Sequence, residues 1–384
     1  MKILLIANYE PDEQQSMLRY ARMLQKEIAQ RGHDVSIVQP KVVLGAWKAL
    51  PGALRKWLGY IDKYILSPHS LRAEAAKADI VHICDHSNAM YLKCARNRPA
   101  LITCHDLLAV FAARGMYAGV TTGGTGRILQ RWIARSIMRA EHIVSVSAKT
   151  QRDLDVLEPG LSSKSVVIRH PLNWNYAPAS SEEIAQAKHH AGLAPNDEYF
   201  LHVGGNQWYK NRLGALKIFA ELKKLPRFQE TRMVMAGKPW TPSIRDFAIA
   251  NALTGSVIEC RSISNETLQG LYSGALALLF PSLEEGFGWP ILEAQACGCP
   301  VITTNRPPMT EIAGNAAIFI DPANPQQAAR EIHDRESDLD TLRIAGFSNL
   351  SRFEKDRAIS AYLDFYERVM QSRSTTGYAA PRSA

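Results

Sequence analysis

The chain has 384 residues, 46% hydrophobic and 21% charged, with a net charge of +8. That is ordinary globular composition, long enough for two domains at about 150 residues each. No apolar run approaches the ~20 residues that span a bilayer as a helix, which excludes a helical integral membrane protein.

The opening "MKILLIANYEPD" has too short an apolar part for a secretion signal and runs into acidic residues without a small-residue cleavage site. It predicts a buried first strand in a cytoplasmic chain. "QQSMLRYARMLQKEIAQRG" then predicts an amphipathic helix stopped by Gly32, and "HDVSIVQP" a second strand, together a βαβ unit of a parallel sheet. "LGAWKALPGALRKWLGYIDKYIL" mixes Trp47, Trp57 and Tyr60 with lysines and an arginine. It suits either a lipid-facing surface or a core-packed helix. "ADIVHIC", "PALITCHD" and "HIVSVSA" predict further strands. The stretch "FAARGMYAGVTTGGTGRILQRWIARSIMRA" predicts a glycine loop ahead of a basic amphipathic helix, either a plain surface or a face toward acceptor or membrane. Residues 1–170 thus form one doubly wound domain in this reading.

"IRHPLNWNYAPASS" predicts a linker, placed at 171–181. A second sheet is expected over 182–350 from "YFLHVGG", a helix at 212–224, "RMVMAG", "VIEC", "ALALLFPS", "PVITT" and "AAIFID". A last helix at 351–371 and a disordered tail at 372–384 complete the chain. The fold class expected is α/β, two Rossmann-like domains facing each other across a cleft lined by strand carboxyl ends.

The six cysteines are scattered through apolar contexts and are expected to be reduced core residues. "HICDH" (His82, Cys84, Asp85, His86) has no second ligand cluster at zinc spacing, so a polar strand end explains it. "RDLDVL" (Asp153, Asp155) and "SDLDTL" (Asp338, Asp340) have an Asp-x-Asp spacing but lie in polar, helix-like surroundings. No metal and no other cofactor is expected. Charge is uneven: residues 1–175 hold 24 Lys+Arg against 14 Asp+Glu, the remainder 21 against 23. No aromatic-basic readout motif accompanies the basic half, so nucleic acid is not expected. An anionic membrane surface or a phosphorylated acceptor fits better.

The chemistry concentrates in "FPSLEEGFGWPILEAQACGCPVI" (280–302), where a strand meets a helix with Pro290 in its first turn. Gly286 and Gly288 let a ligand approach the backbone at a helix start, which favours phosphate. Glu285 and Glu293 flank that turn, and carboxylates accept hydrogen bonds from paired hydroxyls such as those of sugars and ribose. Together they predict a nucleotide sugar.

This stretch closely resembles the retaining glycosyltransferases of family four (GT4), which have the GT-B fold and a Glu-x7-Glu signature that Glu285 and Glu293 match in spacing. "HVGGNQWYKN", "VIECRSISNETLQGLYSGALALLFPS", "PPMTEIAGNAAIFIDP" and "FEKDRAISAYLDFYERV" agree with it. The resemblance is dense in the second half and only in outline in the first. It implies that Glu285 touches the donor sugar, Glu293 the ribose and Lys210 the diphosphate. It further implies that His105 contacts the donor sugar or the transition state, that Asp106 orients His105 or the loop, and that the last helix crosses back to the first domain. His105, Lys210 and Glu285 are the implied catalytic residues. Gly204, Gly205, Asn211, Arg212, Ile263, Gly286, Phe287, Gly288 and Glu293 are the implied donor-binding ones.

Two departures stand out. Gly205 and Tyr209 fill the positions where the family's Arg is expected, leaving Arg212 to compensate. "NYEPDEQQSM" replaces the N-terminal Gly-Gly loop. The expected activity is metal-independent transfer of a sugar, with retention, from a nucleotide sugar to a glycan, glycolipid or other hydroxyl acceptor. The wording of "EIAGNAAIFIDP" leans toward mannosyl- or rhamnosyl-type members. The expected location is the cytoplasm, with peripheral contact at the inner face of the membrane. A nucleotide-sugar epimerase, a phosphorylase and a non-catalytic sugar-nucleotide-binding subunit are the alternatives.

Overall fold

The computed structural model describes residues 1–45 and 52–376, so Trp47 lies outside the described residues. The chain divides into two compact units: Met1–Asn173 with Lys355–Ala384, and Trp174–Glu354.

The first unit holds β1 (Lys2–Ile6), β2 (Asp34–Val38), β3 (Ile80–Ile83), β4 (Ala100–Cys104), β5 (Ile143–Ser145) and β6 (Ser165–Val167). They form one parallel sheet in the order β2-β1-β3-β4-β5-β6. Strands β3 and β5 are buried throughout and β1 and β4 nearly so, as both faces of a parallel sheet are covered by helices. Continuous apolar runs are the result. Strand β6 has three residues among polar neighbours, and its pattern is too short to separate from a loop.

The helix Gln15–Ala29 buries Leu18, Ala21, Leu24 and Ile28, one stripe at helical spacing, and ends before Gly32 at φ +82°. The basic helix Gly124–Met138 buries Ile133, Ala134 and Ile137 and leaves Ile128 exposed. It is therefore core-packed on one side and solvated on the other.

The last helix is Lys355–Thr376, starting later and ending later than 351–371. Glu354 is extended at ψ 135° and separates it from the short turn Leu350–Phe353. Residues 372–376, expected in the tail, continue the helix, since extending a docked helix costs far less than nucleating one. Residues 377–384 lie outside the described residues. A buried network ties this helix to the first unit. Tyr366 Oη bonds His82 Nδ1 at 2.7 Å, Tyr362 Oη bonds Tyr20 Oη at 2.6 Å, and Thr103 Oγ1 meets both Tyr20 and His82.

The second unit holds β7 (Tyr199–Gly204), β8 (Arg232–Gly237), β9 (Val257–Arg261), β10 (Ala277–Phe280), β11 (Val301–Thr304) and β12 (Ile318–Ile320). They are parallel in the order β12-β11-β10-β7-β8-β9. This is the doubly wound order of a Rossmann half. It reverses between β7 and β10, so the crevice past their carboxyl ends is where the fold places a ligand.

The linker expected at 171–181 divides between Asn173 and Trp174. Beyond that point it is pinned within the second unit: Ala177 N donates to Gln269 Oε1 at 3.2 Å and Ala179 N to Ser273 Oγ at 2.9 Å. The next helix, Ser181–His190, begins with a Ser180–Glu183 capping box.

Candidate donor and acceptor sites

In the second unit, β7 ends at Gly204 and leads through a short turn to the helix Arg212–Leu222. Asn211 precedes that helix at φ +51°, a left-handed conformation that Asn tolerates. Its Nδ2 donates to Pro281 O at 2.9 Å, while Leu283 N donates to Tyr209 O at 2.8 Å. The loops after β7 and β10 are thus tied together at the reversal point. Gly237 at the end of β8 has φ +145°, and a Cβ there would fall 2.1 Å from Gly204 O. Only glycine lets these two strand ends close up.

Across this rim Lys210 Nζ donates to both oxygens of Glu285, at 2.8 and 3.0 Å. The side chains are only 18% and 8% exposed, so solvent screens the pair weakly. Arg212 is buried. Its Nη1 donates to Asn206 Oδ1 and to Lys238 O, whereas Nε and Nη2 have no hydrogen-bond partner among the described residues. Burial lowers its pKa against the pull of Glu259. These two buried nitrogens carry three N–H donors without acceptors, a set that suits an anion.

His202 lies beneath. Its Nδ1 donates to Leu279 O at 2.9 Å, leaving a bare Nε2 about 3.4 Å from where a Gly204 Cβ would stand. Burial holds its pKa at about 4, with Arg212 and Lys210 acting the same way. It is neutral at pH 7. The buried Ser282 Oγ has no partner among the described residues either.

The remaining predicted donor residues surround this centre at different depths. Glu285, Gly286, Phe287 and Gly288 are all buried, and Gly288 takes φ +108° ahead of the helix Trp289–Ala296. Glu293 is buried on that helix and accepts from Tyr272 Oη at 3.0 Å. Gly205 lies in the turn after β7, where a Cβ would meet Gln207 Oε1 at 2.5 Å. Ile263 is half-buried past β9, the edge strand of the sheet.

His105 belongs to the first unit, at the end of β4. Its Nε2 donates to Cys84 O at 2.8 Å, so its Nδ1 accepts from His170 Nε2–H at 3.0 Å. The two rings stack at 5.0 Å. Burial lowers the pKa of both imidazoles. Asp106 Oδ1 accepts from Leu108 N at 2.9 Å and so shapes the loop rather than the imidazole.

In place of a glycine loop, Asn8 follows β1 and donates to Asp85 Oδ2 at 2.5 Å, past β3. His82 is committed to Tyr366 and Thr103. No group of three or more His, Cys, Asp or Glu is placed to hold a metal ion among the described residues.

Beyond β1 and β3, where the first sheet reverses, lies a cavity of about 370 Å³. It is lined by Tyr9, Arg55, Lys56, Tyr60, Lys63 and Asn88, among others, all in the first unit.

Sequence reasoning passed over His202, Ser282, Tyr272 and His170. A polar residue closing an apolar strand, as in "FLHVGG", was the available signal for the first. His170 sits in a segment whose composition reads as linker.

Each unit is a doubly wound α/β half, and the second carries a cation–carboxylate rim at the point where its strand order reverses. Residues 17–173 match the family Glycosyltransferase Family 4, and residues 184–344 match Glycosyl transferases group 1. The chain is 27% identical over 223 residues to an O-antigen chain mannosyltransferase of Salmonella typhimurium, covering 58% of each protein. It thus matches less than two thirds of that relative's length. Among solved structures, sucrose-phosphate synthase from Thermosynechococcus elongatus aligns with a TM-score of 0.73 at 17% identity, covering 97% of this chain and 100% of that one. Anabaena HepE in complex with UDP-glucose aligns at 0.69 and 15% identity, covering 98% of this chain and 100% of that one. These two likenesses concern the fold. The chain belongs to the glycosyltransferases of family four. No helix among the described residues is long and apolar enough to cross a membrane.

Proposed function

We propose that the chain moves a sugar from a nucleotide-sugar donor to an acceptor hydroxyl, in polysaccharide or glycolipid synthesis and with retention of anomeric configuration. The observation that carries this reading is the buried Arg212, with two guanidinium nitrogens lacking acceptors, at the start of the helix that follows Lys210, which pairs with Glu285 at the reversal of the second sheet. The donor diphosphate accepts from those nitrogens. Lys210 exchanges Glu285 for a phosphate oxygen, which releases the carboxylate to accept from sugar hydroxyls. Glu293, held by Tyr272, accepts from the ribose hydroxyls. The two cations neutralise the leaving diphosphate, and no metal takes part.

The leaving diphosphate itself takes up the acceptor proton on the face from which it departs, so no enzyme nucleophile is required. The protein's contribution is positioning and stabilisation of the charge that develops on the leaving group. In the first unit His105, its ring pre-oriented by His170 and Cys84, exchanges one of those bonds for a sugar hydroxyl. The O-antigen chain mannosyltransferase relative supports a mannosyl-type donor.

The experiment is a panel of nucleotide sugars screened by thermal shift, then by product NMR. Slow release of free sugar and nucleoside diphosphate without acceptor is expected, unchanged in excess EDTA. An inverted anomeric coupling constant in the product, or turnover that returns only when manganese or magnesium is restored, overturns the mechanism.

A further inference from the structure

The cavity of the first unit collects charge of one sign. Arg55 and Lys56 project from the helix Gly52–Ile61 and form no ion pair among the described residues. Lys63, two turns on, is itself buried. It pairs with Asp12 at 2.8 Å and lies 5.0 Å from the Tyr60 ring centroid, with Tyr9 and Tyr64 at 5.5 and 5.6 Å. Three aromatic faces hold the ammonium where water would otherwise hydrate it. Three cations therefore face one carboxylate.

The nearby Asp62 stays ionised and is a second carboxylate, but it does not line the cavity, so the cations there remain in excess. It accepts from Tyr9 Oη and from the backbone N–H groups of Val43, Leu44 and Gly45. Burial opposes its ionisation, but those donors outweigh it and keep its pKa low.

A second, independent observation points to a ligand. Asn88 is 5% exposed and lines the cavity, and its Nδ2 has no hydrogen-bond partner among the described residues. A buried amide donor left open in a cationic cavity lacks an acceptor, and leaving it so costs free energy. About 370 Å³ accommodates a diphosphate with part of the sugar ring it carries.

We propose that this cavity binds a phosphate or diphosphate group on the acceptor, with Arg55, Lys56 and Lys63 meeting its charge and Asn88 donating to an oxygen. The transferase reading enters only in naming this ligand the acceptor. The binding itself does not depend on it.

The probe is inorganic pyrophosphate, titrated calorimetrically into the full chain and into Lys210→Ala, which weakens anion binding in the second unit. A saturable, salt-sensitive site persists in Lys210→Ala. Its affinity falls tenfold or more in Arg55→Glu/Lys56→Glu, where both substituted side chains are exposed and folding is retained. Asn88→Ala weakens it by a smaller factor. Pyrophosphate binding that vanishes with Lys210→Ala, or that survives the double charge reversal unchanged, overturns the proposal. Failure of the transferase reading is seen elsewhere, as absence of nucleoside-diphosphate binding that requires Lys210.

Vesicles separate the two carriers of such a phosphate. Leu54, Trp57 and Ile65 are exposed on the same helical segment. Co-sedimentation with phosphatidylcholine vesicles containing phosphatidic acid, weakened by Trp57→Ser and by the charge reversal, assigns the phosphate to a lipid. Pyrophosphate binding without sedimentation assigns it to a soluble carrier. Either result supports the cavity as a phosphate site.

Discussion

Lys210 and Glu285 satisfy each other in the structure, and under the proposed function a donor breaks that bond. The exchange makes Lys210 more valuable in the transition state than in the ground state, because the charge it meets grows as the diphosphate departs. Lys210→Ala is expected to lower kcat by about 100-fold or more while weakening donor binding less, as for other transition-state partners. Glu293→Gln keeps its shape but loses charge-assisted acceptance. Steady-state kinetics should show it mainly as weaker donor binding, by about 1–3 kcal/mol. Wild-type turnover in Lys210→Ala would shift the phosphate-holding role to Arg212.

Of these groups, Glu285 and Glu293 were legible in the sequence because glycine turns, a proline at a helix start and carboxylate spacing are local signals, whereas Lys210 stands out only through the family resemblance. The open N–H groups of Arg212 and the bare Nε2 of His202 were not legible. They arise where β7, β8 and β10 converge from distant parts of the chain. The same limit explains His105: its position at a strand end was readable, whereas its bonds to His170 and Cys84 depend on a partner 65 residues away.

At the scale of elements, the strands were readable wherever both faces are buried, as in "LLFPS" or "IVHIC", and unreadable at β6, where three residues carry no periodicity. Helix ends were read less well than helix cores. The last helix is set by an extended Glu354 and by docking through Tyr362 and Tyr366, neither of which composition reveals.

Element packing also makes a prediction that catalysis does not. The β7–β8 pair closes at Gly204 and Gly237, where an added methyl would sit 2.1 Å from a backbone oxygen at φ +145°. Backbone cannot yield as a flexible side chain can. Gly237→Ala is expected to destabilise the second unit by about 2–4 kcal/mol, from strain plus overpacking. It should also displace the Lys210 turn. A lowered urea midpoint together with weaker nucleotide binding is the expected result, and an unchanged midpoint would mean that the strand ends separate at little cost.

At the scale of the whole molecule, each unit has its own sheet and core, and the units differ in what acid does to them. The first buries three imidazoles with lowered pKa values, His82 at about 3 and His105 and His170 in the same direction, all chiefly through burial. Unfolded, each takes a proton near pH 6.5; folded, each resists it. Stability is therefore complete above that pH and is lost as pH falls toward the folded values, by up to about 1.4 kcal/mol per pH unit for each imidazole. His86 acts oppositely: burial disfavours its charge, but Asp85 outweighs this and raises its pKa. Its contribution is present in full below pH 6.5 and fades as pH rises, so it does not offset the acid loss. The second unit has one comparable group, His202. Calorimetry between pH 7 and 5 should therefore show the first unit's transition falling more steeply than the second's. A nucleoside diphosphate at 100 times its dissociation constant identifies the second transition by adding ~2.7 kcal/mol to it alone. If both transitions stayed level down to pH 5, the imidazoles of the first unit would have to be exposed or already charged, contrary to the packing of Tyr20, His105 and His170 against one another.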